Sequence, residues 1–369
     1  MSMAHEVDFD ESHYVPILKA KRGEFRAIDY LAQDVRNNMT PLFEIPFLQP
    51  FELEPSQKGK DPATIEGQID KVAGYIQHYW YEGGESEGNS RPIFLDSRLL
   101  NITRCDDGRH PLVYLKDKLQ GNGPEVIPVT GLNRKLSHHQ AVRKVADAFD
   151  EGILLRLEKG DFDADLDSEI NDLLRFFDTA ISDTHLLLDL RSIEDDYQTF
   201  LKAAGMISLI PKLADWKTFT LGSAGFPNKF PVQGSNVRGI TRSDWMLWKK
   251  LLSKDPSRKP AYADYGIRGC DQPEFPVPVT PAPKIAYTID NEWVTIRRGG
   301  SGYDGFYDIC DVIVSHNWYS GASFSYGDAE LEDKHRNQNG PGNGETWTLI
   351  STNHHLAKAM SQISSFLAP

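Results

Sequence analysis

No stretch of this 369-residue chain approaches the roughly 18 consecutive apolar residues of a membrane-spanning helix. Met1 to Ser12 is polar and acidic and lacks the apolar core of a secretory signal, so secretion is not expected either. The expected compartment is the cytoplasm. Cysteine is scarce: Cys105, Cys270 and Cys310 are far apart, odd in number and without metal-ligand spacing. That fits a reducing compartment and supports neither a disulfide framework nor a zinc site. Positive charge is also short, with 40 Lys and Arg against 53 Asp and Glu and a net charge of −13. Such a balance argues against broad binding to a phosphate backbone, although it leaves room for a local basic funnel. His-Glu-x-x-His, Walker A and Gly-x-Ser-x-Gly patterns are absent, which removes the main support for a zinc protease, a P-loop NTPase or a serine hydrolase. No nucleotide cofactor is indicated.

What the chain does have is a repeated alternation. Eight short apolar runs, each followed by a helix-like segment, occupy Tyr14 to Lys19, Thr40 to Pro46, Pro92 to Arg98, Val126 to Leu132, Ile153 to Glu158, Leu186 to Arg191, Thr218 to Ser223 and Ala261 to Tyr265. Runs that alternate with helical patterns imply parallel βαβ units, and eight such units close a (β/α)8 barrel of the TIM type. The expected helices include Phe25 to Val35, Ile65 to Trp80, Pro111 to Leu119, Ser137 to Phe149, Asp167 to Ile181, Tyr197 to Leu213 and Arg242 to Leu252. The Gly/Pro/Asn stretch up to Gly239 reads as a lid or binding loop. The barrel is expected over 1–270. Residues 271–369 would then hold a Pro-rich connector, a hairpin made of Lys284 to Ile289 and Trp293 to Arg297, and a final helix from about His355 to Phe366, packed on the barrel as a β-rich, aromatic-rich extension.

Catalytic residues of such barrels sit at the C-terminal ends of strands. This sequence places Lys19, Glu44, Asp96, Arg98, Arg156, Glu158, Asp189, Arg191 and Asp264 there. Residues two apart on a strand share a face, so the pairs Asp96/Arg98, Arg156/Glu158 and Asp189/Arg191 each enter the barrel together or not at all. Glu44, Asp96 and Asp189 have the hard oxygen donors that Mg²⁺ or Mn²⁺ wants. Lys19, Arg156, Arg191 and Asp264 are the candidate catalytic groups, and Arg98 is a candidate for holding an anionic substrate. Buried ion pairs that fix strand register without any chemistry explain the same residues, as does a ligand site without catalysis.

Other signals are weaker. His138-His139 opens a helix and reads as solvated. Asn353-His354-His355 reads first as the cap of the last helix and, in the alternative, as part of the site. Arg297-Arg298-Gly-Gly-Ser-Gly302 has the makings of an anion nest or of plain Gly-rich coil. The aromatic residues of the extension, Trp293, Tyr303, Phe306, Tyr307, Trp318, Tyr319, Phe324, Tyr326 and Trp347, suit a small core more than base stacking.

Tyr14-Val-Pro-Ile-Leu-Lys-Ala-Lys-Arg-Gly-Glu24, Thr40-Pro-Leu-Phe-Glu-Ile45, Tyr287-Thr288, Trp293, Arg298-Gly299, Ser325-Tyr-Gly-Asp328 and Asn353-His-His-Leu356 together resemble the beta family proteins of phages and bacterial genomes. The resemblance implies a phage or anti-phage setting and carries over no reaction and no catalytic residue. Two functions follow as expectations. One is a metal-assisted phosphoester hydrolase acting on an anionic small molecule or nucleic acid, with Glu44, Asp96 and Asp189 as ligands. The other is a non-catalytic component that binds other proteins of a phage-related assembly, with no membrane partner. Because no eighth barrel helix is visible, the hairpin either packs at the barrel mouth, where Arg298, Asn353 and His354 would complete the pocket, or runs down the outside in place of that helix.

Overall fold

The computed structural model describes residues 9–48, 64–84, 87–88, 91–100, 103–163, 165–232, 236–271, 283–299 and 305–368. Most of the Pro-rich connector, Gly300 to Gly302 and Tyr303 lie outside these. The described strands are β1 (Tyr14–Lys19), β2 (Leu42–Glu44), β3 (Ile93–Asp96), β4 (Val126–Thr130), β5 (Ile153–Glu158), β6 (Thr184–Ser192), β7 (Thr218–Ala224), β8 (Asn236–Thr241), β9 (Ala261–Asp264), β10 (Lys284–Thr288) and β11 (Glu292–Arg297). β1 to β7 pair in chain order and β9 closes the circle on β1, giving a closed parallel barrel of eight strands. All eight apolar runs of the sequence are in it. Helices follow the strands around the outside, as a (β/α)8 architecture requires.

The side-chain period of two then sorts every strand into an inner and an outer set. Val15 and Ile17 of β1, Leu42 of β2, Phe94 of β3, Leu154 of β5, Leu187 of β6 and Ala263 of β9 form the barrel interior. Their neighbours Tyr14, Leu18, Phe43, Leu95, Leu155, Leu186, Leu188 and Tyr262 face the helices and join the larger outer core. By the same parity Lys19, Glu44, Asp96, Arg156 and Asp189 point inward as the uppermost layer, whereas Asp264 points outward.

The extension departs from the sequence expectation in content. The stretch read as a lid supplies β8, which pairs antiparallel with β11, so that β10, β11 and β8 make one three-stranded sheet. Asn236 to Thr241 carries little strand pattern of its own and is mostly exposed, so the open edge of β11 is what orders it. Two helices, Gly305–Val314 and Tyr326–Asn337, occupy the region read as Gly/Tyr-rich coil. The last helix runs from Gly344 to Leu367, and its cap is Asn343, whose side chain accepts from the amides of Glu345 and Thr346. Asn353 therefore lies mid-helix and does not cap this helix. Leu356, Ala359, Met360 and Ile363 of this helix enter the outer core, and Phe366 lies 5.7 Å from the ring of Trp248. With Asn353 donating to the carbonyl of Ala27 at 2.9 Å, the helix stands between the first and seventh barrel helices, where an eighth would stand. The hairpin lies at the C-terminal ends of β7 and β9, where Ala286 and Trp293 pack on Phe226 and Ile267. Among the described residues no helix is long and apolar enough to cross a membrane.

Candidate functional site at the barrel mouth

Arg156, on the inner face of β5 two residues before Glu158, is almost wholly buried. Its guanidinium donates to Glu44 Oε1 at 2.9 Å and Asp96 Oδ2 at 2.6 Å through one nitrogen. The other two nitrogens donate to Asp189 Oδ2 at 3.0 and 2.7 Å, and one also reaches the Tyr265 hydroxyl at 2.6 Å. Tyr265 in turn donates to Asp189 Oδ2 at 2.6 Å and accepts from Arg191 at 2.7 Å. A second ring of charges surrounds this centre. Lys19 pairs with Glu44 at 2.6 Å, Arg98 with Glu158 at 2.8 Å, Arg134 with Asp96 at 3.4 Å, and Arg191 with Asp271. Five cations thus meet five carboxylates. The sequence-derived residues Lys19, Glu44, Asp96, Arg98, Arg156, Asp189 and Arg191 are all in this network.

Burial raises the cost of ionising Glu44, Asp96 and Asp189, but the neighbouring cations outweigh it and hold all three carboxyls below their usual range. Arg156 and Lys19 do so for Glu44, Arg134 and Arg156 for Asp96, and Arg156 and Arg191 for Asp189. Burial also pushes the Tyr265 phenol well above its usual value, so it stays a neutral donor.

The Asp-x-Arg pairs owe their geometry to turns. Asp96 Oδ1 accepts the amide of Arg98 at 2.8 Å, Asp189 Oδ1 that of Arg191 at 2.8 Å, and Asp264 Oδ1 that of Gly266 at 2.9 Å. Each carboxylate bends the chain at or near the end of its strand. Arg191 pays for its position with a left-handed backbone, φ 54°, at an irregularity of the β6–β7 ladder. Asp150, Asp178 and Gln338 also have positive φ but end helices, where that conformation is common.

Among the described residues no group of three or more His, Cys, Asp or Glu side chains is arranged to hold a metal ion. Glu44, Asp96 and Asp189 converge, yet the oxygens nearest their common centre are all bonded to Arg156. In this arrangement they do not fit Mg²⁺ or Mn²⁺. The crevice beside Lys19, Glu44 and Tyr265 offers about 10 Å³, the room of one water molecule.

The remaining candidates lie elsewhere. Asp264 faces the helix layer, where Oδ1 accepts from Tyr14 at 2.7 Å and Oδ2 from His355 Nε2 at 2.9 Å. The Thr288 hydroxyl then lies 2.8 Å from His355 Nδ1. This hydroxyl–imidazole–carboxylate chain has the order of a catalytic triad, but all three residues are sealed from solvent, so it joins the sheet, the last helix and β9. His354 is equally buried, between Asp328 at 2.8 Å and the Thr288 carbonyl at 2.7 Å. Asn353 bridges Gly327 and Ala27. None of the described contacts of Arg298 reaches the Arg156 network; its backbone amide bonds to Pro283 and its side chain to the Arg297 carbonyl. Three members of the network went unread in the sequence: Tyr265, which the period of two from Ala263 would have placed inward, Arg134, which follows β4 by four residues in a loop without a pattern, and Asp271, which lies beyond the last barrel strand.

His138 is wholly buried where the sequence reading made it solvated, with its ring 3.3 Å from the carbonyl of Val129. Burial draws His110 and His138 down to about 4 and His185 to about 3, and it draws His13 well below 6.5. In the unfolded chain these imidazoles take protons near pH 6.5, so the folded state binds fewer and stability falls as the pH drops from about 6.5 to about 4. Asp244 acts in the opposite sense, because burial and then the charge of Asp264 raise it to about 7. His139 and His355 are lowered too, and Glu125 and Asp161 are raised like Asp244, so six histidines stand against three carboxyls; with each pKa unit worth about 1.4 kcal/mol, the melting temperature is expected to fall across that window. Melting curves that stay level or rise between pH 6.5 and 4 would contradict this.

No curated protein and no solved structure is similar enough to match the chain. One family model does match, over residues 14–361, which takes in the whole barrel and nearly all of the extension. By that match the chain belongs to the Beta protein family.

Proposed function

We propose that this protein is a binding component of a phage-related assembly, with the barrel as rigid platform and the extension as contact surface. The observation that carries the reading is the mouth of the barrel, where every strand-end carboxylate is matched to a cation and Arg156 fills the centre that a metal would need. Networks of this kind define one arrangement of the strands and leave no carboxylate free for acid, base or ligand chemistry. The extension supports the other half. Trp293, Phe306 and Trp347 are its core, whereas Trp318, Tyr319, Phe324 and Tyr326 are only half-buried, and half-buried aromatic side chains are what interfaces use.

A metal-assisted phosphoester hydrolase is the second reading. What favours it is the left-handed Arg191 at a strand end on the face where barrels do chemistry. It requires Arg156 to leave the three carboxylates. The two readings separate when the purified chain is titrated with Mg²⁺ and Mn²⁺ and offered a panel of phosphomonoesters, phosphodiesters and nucleic acids. The binding reading expects no metal-dependent turnover, together with partners from phage-challenged cells that are enriched on the wild type and lost from Trp318→Ala and Phe324→Ala. Turnover that disappears in Asp189→Ala establishes the hydrolase.

A further inference from the structure

We propose that a second site, in the cavity between the hairpin and the C-terminal ends of β7 and β9, binds a small anion carrying a flat ring, of the nucleoside monophosphate class. The cavity measures about 200 Å³. Phe226, Phe230, Phe306 and Trp347 wall it, and Arg268 and Lys284 contribute its charges.

The charge pattern is what asks for an anion. Lys284 of β10 stands directly opposite Arg297 of β11 in the ladder. Like charges at opposed positions of a sheet repel and destabilise the pair. Among the described residues neither forms an ion pair: the Lys284 ammonium lies 5.1 Å from the centre of the Phe230 ring, and Arg297 donates to the carbonyl of Val232 at 3.4 Å. Arg268 does pair, with the buried Glu24 at 2.8 Å. Partial desolvation, then repulsion from Arg297 and Arg268, draws the Lys284 pKa down. An anion between Lys284 and Arg268 would relieve this repulsion, and Lys284, as a compact ammonium, suits a phosphate.

The ring requirement comes from the walls. Phe226 is buried and meets Trp293 edge-on at 5.3 Å, so its position is set by its own packing. Phe306 and Trp347 stack at 4.1 Å and 6° between planes. Rigid aromatic walls accept a base by stacking without regard to its sequence, and cations at the rim take the phosphate. This site shares no residue with the Arg156 network and stands whether or not the binding reading of the whole protein holds.

The test is calorimetric titration of the full chain with AMP, GMP, CMP and UMP, with the corresponding nucleosides, and with inorganic phosphate. The monophosphates are expected to bind saturably and more weakly as salt rises. Lys284→Glu should weaken them by at least about tenfold, equivalent to about 1.4 kcal/mol, with a melting temperature no lower than that of the wild type, because a glutamate opposite Arg297 replaces repulsion by attraction. Phe230→Ala should weaken the nucleotides while leaving inorganic phosphate as it was. No binding of any monophosphate at millimolar concentration, or equal binding by Lys284→Glu, overturns the site. Phosphate that binds as tightly as the nucleotides overturns the ring requirement.

Discussion

Replacing Arg156 by methionine is expected to cost the protein about 3–5 kcal/mol or more, a large part of the roughly 5–15 kcal/mol by which ordinary domains are stable. The size of the effect comes from what remains. Glu44, Asp96 and Asp189 are buried around one guanidinium, and without it three carboxylates face one another with Lys19, Arg134 and Arg191 only at their edges. The same reasoning predicts a rescue. In the quadruple variant Arg156→Met, Glu44→Gln, Asp96→Asn, Asp189→Asn the charges are gone and most of the stability should return, because amides of the same shape need no counter-ion.

The pH dependence provides a second, sign-based check. In the wild type these carboxyls are held below their usual range, so their contribution is complete above it and fades as the pH falls through the lowered values. In Arg156→Met the same carboxyls are buried without their main partner, their pKa values rise, and protonation on going to lower pH should stabilise the variant. Urea denaturation at several pH values reads both slopes. A single variant that loses under about 1 kcal/mol, or a quadruple variant no more stable than the single one, would show that the network does not hold the barrel together.

Asp264→Ala is the second large effect, expected at about 3 kcal/mol or more. One side chain supplies acceptors to Tyr14, His355 and the amide of Gly266, and all of these donors are buried. Burial disfavours the Asp264 carboxylate, but His355, Arg242 and Tyr14 hold it ionised. Its removal leaves those donors unsatisfied and Arg242 with less counter-charge. The loss should also be local. Hydrogen exchange is expected to show the amides around His355 in the helix Gly344–Leu367 opening well before those of β5 and β6, because the Asp264–His355–Thr288 chain is the polar tie between barrel, helix and sheet. His355→Ala should reproduce most of the loss, and the two substitutions together should cost clearly less than their sum. Uniform loss of protection across all strands would show that the tie is not local.

Much of this architecture is legible before any coordinates. A parallel strand buried on both faces must be apolar almost throughout, so a charged residue at its end stands out; Arg156 and Glu158 after Ile153-Leu-Leu, and Asp189 after Leu186-Leu-Leu, are read for that reason. The period of two also says which of those charges share a face, and it holds for Lys19, Glu44, Asp96, Arg156 and Asp189. Arg98 follows the end of β3 and Arg191 sits at the irregularity near the end of β6, where the preceding Asp takes the amide; both guanidiniums reach the mouth by that turn and not by the regular pleat.

The extension is harder to read because its elements depend on partners distant in sequence. β8 forms on the edge of β11, more than 50 residues away in the chain, and has no alternation strong enough to announce itself. His354 and His355 carry chemistry-bearing side chains, but whether these see water depends on the sheet and on the helix Tyr326–Asn337 that close over them.

The sequence by itself determined the eight barrel strands, the seven helices between them, their parallel order, the inward layer of strand-end charges and the family, because all of these are written in local periodicity and side-chain type. Tertiary structure alone decided what those charges do. Whether three carboxylates from β2, β3 and β6 surround a metal or a guanidinium depends on which side chain of a fourth strand reaches their common centre, and no spacing along the chain encodes that distance. Closure of the barrel brings Arg156 of β5 there, and low-dielectric burial then makes its pairing the most favourable arrangement open to all four groups.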